Sequence, residues 1–188
     1  MNCTKDKITQ AAEQLFAEKG YDGVTTKEIA NKANVSEVTL FRNFDNKRNL
    51  FEYILKEKMH PYGVKVYLEK EAVFDLEKDL KAMADMIFET YKKNLPLIRM
   101  LFKDNHHTKE HIRAKGHDSS FKNSLKDYFI NMHEQGKIAD NPDKAMKFFL
   151  LNITAVLSET LFRQKKEINE EYYIWMVSKV IEALKVKK

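Results

Sequence analysis

Between Ser36 and Asn43 the chain sets six chemically different side chains, Ser36, Glu37, Val38, Thr39, Arg42 and Asn43, around Leu40, Phe41 and Phe44. These are types that can read nucleic-acid bases. An Arg fork matches guanine O6 and N7, Asn matches adenine, Glu accepts from the cytosine amino group, and an apolar group such as Val meets the thymine methyl. Arg42 and Asn43 suit a phosphate contact equally well, and Glu37 also suits the positive end of a helix. An ordinary mixed solvent surface is the plain alternative. A second cluster, His106, His107, His111 and His117, places His107 and His111 one helical turn apart. Two such imidazoles can share a metal, yet no acidic or Cys partner has matching spacing, so a solvated polar loop and no metal are expected. The sequence has no Gly-rich phosphate loop, nucleophile elbow or HExxH motif, so neither an enzyme nor a cofactor is expected.

The elements that must hold residues 36–43 read as helices. Ile8, Ala11, Ala12, Leu15 and Phe16 form one stripe of a helix from about residue 5 to Lys19, closed by Gly20. Thr25-Thr26-Lys27-Glu28 matches a capping box that opens a second helix ending near Ala33. Ser36 is a good N-cap for a third, and a fourth begins near Asp45 or Asn46 and fades before Pro61. Only Asn34-Val35 separates the second helix from the third, and Asn tolerates the left-handed backbone such a turn needs. With Ile29, Ala30, Ala33, Val35, Leu40 and Phe44 turned inward, this is a helix-turn-helix at about residues 25–44. The remaining side chains of the third helix then point outward, where such a helix meets a DNA major groove.

The stretch from Ile8 to Leu50 resembles the TetR-type transcriptional regulators. The resemblance lies in Ala11, Ala12, Leu15, Phe16, Gly20-Tyr21, Thr25-Thr26, Ile29-Ala30, Ala33, Val35-Ser36, Thr39-Leu40, Phe44, Lys47 and Leu50. It implies an all-α homodimer: an N-terminal three-helix DNA-binding domain, a larger helical ligand-binding and dimerisation domain, and most often a repressor released from a palindromic operator by a small molecule. It implies phosphate contacts from Thr25 or Thr26, Ser36 and Lys47, and a groove-facing Thr39. Three positions depart from the family pattern. Asn34 replaces the turn glycine, Val38 stands where glycine is frequent, and Phe41 replaces a tyrosine, leaving it to pack on sugar atoms or into the core. A regulator-like interaction protein with lost or altered DNA binding is the alternative.

Composition bounds these readings. The 188 residues carry 43% apolar residues, enough for a packed core, and a formal charge of +5. Residues 1–60 hold ten Lys/Arg against nine Asp/Glu, so charge alone does not single out nucleic acid. The lone Cys3 excludes an intramolecular disulfide, and no apolar run approaches a membrane span or a signal peptide. A cytoplasmic protein is expected.

About nine helices are expected in all. The first domain covers residues 1–50, with the fourth helix continuing as a connection to about 60, and the second covers 61–188. Residues 61–73 read as a hinge. The last two helices, about 142–162 and 170–186, carry apolar residues on more than one side and are expected to form a homodimer interface. Met83, Met86, Phe88, Tyr91, Phe102, Phe121, Tyr128, Met132 and Phe148 are candidates for an effector pocket, as is the polar Asn152.

Overall fold

The computed structural model describes residues 4–59, 62–103, 119–162 and 169–186. Among these residues lie ten helices and no strand. They are α1 (Thr4–Lys19), α2 (Thr26–Lys32), α3 (Glu37–Phe44), α4 (Lys47–Met59), α5 (Tyr62–Lys70), α6 (Leu76–Lys93), α7 (Leu95–Lys103), α8 (Ser119–Glu134), α9 (Pro142–Phe162) and α10 (Glu170–Leu184). The all-α class expected from periodicity is the observed one. The extra helix is α5, which replaces the hinge expected at 61–73. Gly63 lies inside its first turn. Val64, Tyr67 and Leu68 follow at helical spacing, with Val64 fully buried.

The helices form two packed units. The first comprises residues 4–59 and 94–103, the second residues 62–93, 119–162 and 169–186. In the first, Ile8, Phe16, Ile29, Leu40, Leu50 and Ile54 are fully buried, and α7 adds Leu97 to the same core. Phe16 meets Phe51 edge-on at 5.3 Å. Asn94 Nδ2 donates to the Lys58 carbonyl at 2.7 Å, and Lys58 pairs with Glu13 at 3.1 Å, which ties the start of α7 and the end of α4 to α1.

The second unit packs α5, α6, α8, α9 and α10 around Leu80, Met83, Leu125, Phe129, Met132, Phe149 and Ile153. Gly136, at φ +67°, ends α8, and Asn141 caps α9 by accepting from the Asp143 and Lys144 amides. Asp79 is the one fully buried carboxylate among the described residues. It accepts from the Tyr67 hydroxyl at 2.6 Å, the Val73 amide at 3.1 Å and the Tyr128 hydroxyl at 3.1 Å. Three donors satisfy the group, as a buried charge requires. Burial, and then the bond to Asp79, push the Tyr67 hydroxyl up to about 12.

Candidate nucleic-acid interface

The helix-turn-helix is built from caps. Thr25 Oγ1 accepts from the Glu28 amide at 3.2 Å, and Glu28 Oε2 accepts from the Thr25 amide at 2.8 Å, the reciprocal box expected from sequence. Lys19 closes on the same carboxylate at 2.8 Å. That bond first, and the Thr25 donors second, lower the Glu28 carboxyl to about 2. At the other end of α2, Asn34 adopts φ +54°. The Val35 amide reaches the Ala30 carbonyl at 3.0 Å and the Asn34 amide reaches Asn31 at 3.1 Å. This is a Schellman closure with Asn in the left-handed position.

Helix α3 is capped by Ser36, whose hydroxyl accepts from the Thr39 amide at 3.1 Å and lies 2.8 Å from the Thr39 hydroxyl. Leu40 and Phe44, one turn apart, are its two buried side chains. Val38 is 68% exposed and Phe41 42%, so Phe41 does not fill the core. Arg42 is exposed and makes no hydrogen bond or ion pair among the described residues. Asn43 is exposed too, but its Nδ2 donates to the Thr39 carbonyl at 2.8 Å.

Three bonds here had no signal in the sequence. Thr26 Oγ1 donates to Glu37 Oε1 at 2.7 Å, linking the first turn of α2 to the first turn of α3. Lys47 Nζ donates to the Tyr21 carbonyl at 2.9 Å and the Val24 carbonyl at 2.8 Å, and sits 4.2 Å from the centre of the Tyr21 ring. Its ammonium therefore fastens the approach to α2, leaving one N–H for an outside acceptor.

The sequence model of the "Bacterial regulatory proteins, tetR family" matches residues 8–54, from α1 into α4. Beyond that segment, 139 residues are 37% identical to the "Uncharacterized HTH-type transcriptional regulator YvkB" of Bacillus subtilis, covering 73% of this chain and 72% of that one. The chain belongs to the TetR family. It is thus a helix-turn-helix transcriptional regulator and not an enzyme. Over 52 residues, 28% of each chain, it is 44% identical to the biofilm operon negative transcriptional regulator IcaR of Staphylococcus aureus. Its fold matches that of the transcriptional regulator FadR from Bacillus subtilis, solved in complex with stearoyl-CoA. That match has a TM-score of 0.76 over 95% of this chain and 98% of the other, at 18% identity.

In the second unit of this TetR-family chain, Met83, Phe88, Tyr128 and Met132 are buried together, with Met86, Tyr91 and Phe121 packed half-buried against them. Phe88 stacks on Tyr173 at 4.0 Å. Phe148 is exposed, on a different side of α9 from the buried Phe149. Asn152 Nδ2 donates to the Phe148 carbonyl at 2.8 Å, so its amide nitrogen is used within its own helix. The Phe102 side chain, His106, His107, His111 and His117 lie outside the described residues. On α9 and α10, Leu151, Tyr172, Ile174 and Trp175 are exposed, with Tyr172 stacked on Trp175 at 5.7 Å.

Proposed function

We propose that this regulator is a repressor that binds a palindromic operator as a homodimer and is released by a small-molecule effector held in its second unit. The observation that carries the reading is the outer side of α3. Val38, Phe41 and Arg42 stand exposed there beside one another, while only Leu40 and Phe44 anchor the helix. Exposed apolar groups next to an unpartnered guanidinium suit base edges and sugar better than water. Thr25, Ser36 and Lys47 contact phosphate in this reading, and Val38, Thr39, Phe41, Arg42 and Asn43 face the groove.

Dimerisation is supported by the exposed apolar side chains of α9 and α10, Leu151 at 68%, Ile174 at 65% and Trp175 at 55% foremost among them. A palindrome with half-sites one turn of DNA apart requires two recognition helices about 34–36 Å apart, which a homodimer can supply and a monomer cannot. The Met- and aromatic-rich core of the second unit suits an apolar effector, and the FadR neighbour carries an acyl-CoA in that fold. Such an effector acts only through a difference in affinity between the DNA-binding and released conformations. No helix among the described residues is long and apolar enough to cross a membrane, in keeping with work in the cytoplasm. The test is operator selection from random duplexes followed by a salt titration. A palindrome whose affinity falls steeply with salt is expected; no enriched palindrome overturns the proposal.

A further inference from the structure

Glu37 is an acid placed at the start of a helix that faces a polyanion, and its carboxylate is already in use. Oε1 accepts from Thr26 Oγ1 at 2.7 Å across eleven residues of chain. The α2–α3 pair is thereby closed at two places. The Schellman turn at Asn34 joins the end of α2 to the start of α3, and the Thr26–Glu37 bond returns from the start of α3 to the start of α2. A turn alone leaves the crossing angle of two short helices to the packing of Ile29, Ala30 and Leu40. A second tie at the far end of α2 fixes that angle, and with it how far α3 stands out from the framework.

We infer that Glu37 is a positioning residue, which sets the pose of the recognition helix through Thr26, and that neither Glu37 nor the Thr26 hydroxyl is itself a DNA contact. The inference rests on the DNA-binding reading above and deepens it. It assigns sequence discrimination to the neighbours that lack such a tie, Val38, Phe41 and Arg42. It also gives the acidic side chain a role that does not require it to approach phosphate, where its charge would be unfavourable.

The test is a double-mutant cycle read on operator affinity, with base preference measured by selection for each variant. Thr26→Val and Glu37→Ala are each expected to lower affinity about fivefold, the effect of one ordinary hydrogen bond. The double variant should be no worse than either single one. Glu37→Gln keeps an oxygen that accepts from Thr26, and Thr26→Ser keeps the hydroxyl, so both should bind within about twofold of the unmodified chain. No variant should change the preferred bases. Circular dichroism below the unfolding transition confirms that each variant compared is folded, and the two conservative variants stand in for one that is not. Losses that multiply to about twenty-five-fold in the double variant would place Thr26 on phosphate independently and overturn the inference. A base preference altered by Glu37→Ala and Glu37→Gln but not by Thr26→Val would overturn it too, by making Glu37 a base reader. A chain that selects no operator at all would overturn the proposed function together with this inference; selection with multiplying losses overturns the inference alone.

Discussion

Replacing Lys47 by Met tests whether the first unit depends on the ammonium or on the stem of that side chain. Met keeps most of the apolar length and removes two charged donors, at 2.9 Å from the Tyr21 carbonyl and 2.8 Å from the Val24 carbonyl, together with the charge over the Tyr21 ring. Hydrogen bonds from charged groups contribute about 1.5–3 kcal/mol each when well shielded. Lys47 is only half-buried, so water recovers a good part of both bonds and each is discounted to about half a kcal/mol to one. The ring contact adds about 0.5 kcal/mol at such a site. The sum is a loss of about 2 kcal/mol from the first unit. Thermal or urea curves followed by Trp fluorescence report the wrong region, because the single Trp175 lies in the second unit. Native-state amide exchange resolves the first unit directly, at the buried Ile29 and Leu40. A loss of about 2 kcal/mol appears there as protection lowered about thirtyfold. Protection unchanged within twofold would mean that water serves the two carbonyls equally well and that Lys47 is not a fastening.

Arg42→Ala should lower affinity for the selected operator by about ten- to a hundredfold and relax preference at one position of each half-site; a uniform loss on every sequence would instead make Arg42 a phosphate contact. Trp175→Glu places a charge among the exposed apolar residues of α10 and should yield monomers by sedimentation at micromolar concentration, whereas an unchanged dimer mass refutes that face as the interface. The Glu28 carboxyl lies at about 2, below its ordinary 4.5, so the capping box and the Lys19 pair contribute fully above about pH 4.5 and fade as pH falls toward 2. Lys19→Ala should raise the Glu28 midpoint in a carboxyl-carbon NMR titration, and an unmoved midpoint would show that Lys19 is not its main cause.

What could be read from the sequence was local. The Thr25–Glu28 box, the left-handed Asn34, the Ser36 cap and the buried pair Leu40 and Phe44 are each set by residues within four or five positions of one another. What could not be read joins distant segments. Lys47 meets carbonyls 26 and 23 residues away, and Thr26 meets Glu37 only because two helices cross at a particular angle. Asp79 stands in the first turn of α6, a favourable place for an acid on any surface helix, and nothing in its local sequence marks it as buried. Its burial follows from two tyrosines on other helices, Tyr67 and Tyr128, that no period along the chain connects to it. Helix α5 was missed because Val64, Tyr67 and Leu68 are too few for a periodic signal.

The structure divides the polar residues around α3 by what they already hold. A recognition helix of eight residues with two buried side chains has little packing to keep it in place. Base readout nonetheless demands placement within about half an ångström. The placement therefore has to come from polar ties on either side of the helix: Ser36 to Thr39 at its start, Thr26 to Glu37 across the pair, and Lys47 behind the entry to α2. Asn43 spends one of its two amide hydrogens on the Thr39 carbonyl, which orients the side chain and leaves Oδ1 and the second hydrogen for a base. Arg42 has nothing to give up. Val38 and Phe41 gain by leaving water. Under the proposed DNA-binding function, operator discrimination falls chiefly to Arg42, Val38 and Phe41 with Asn43 beside them, and relatives that carry glycine and tyrosine at the positions of Val38 and Phe41 should select different half-sites.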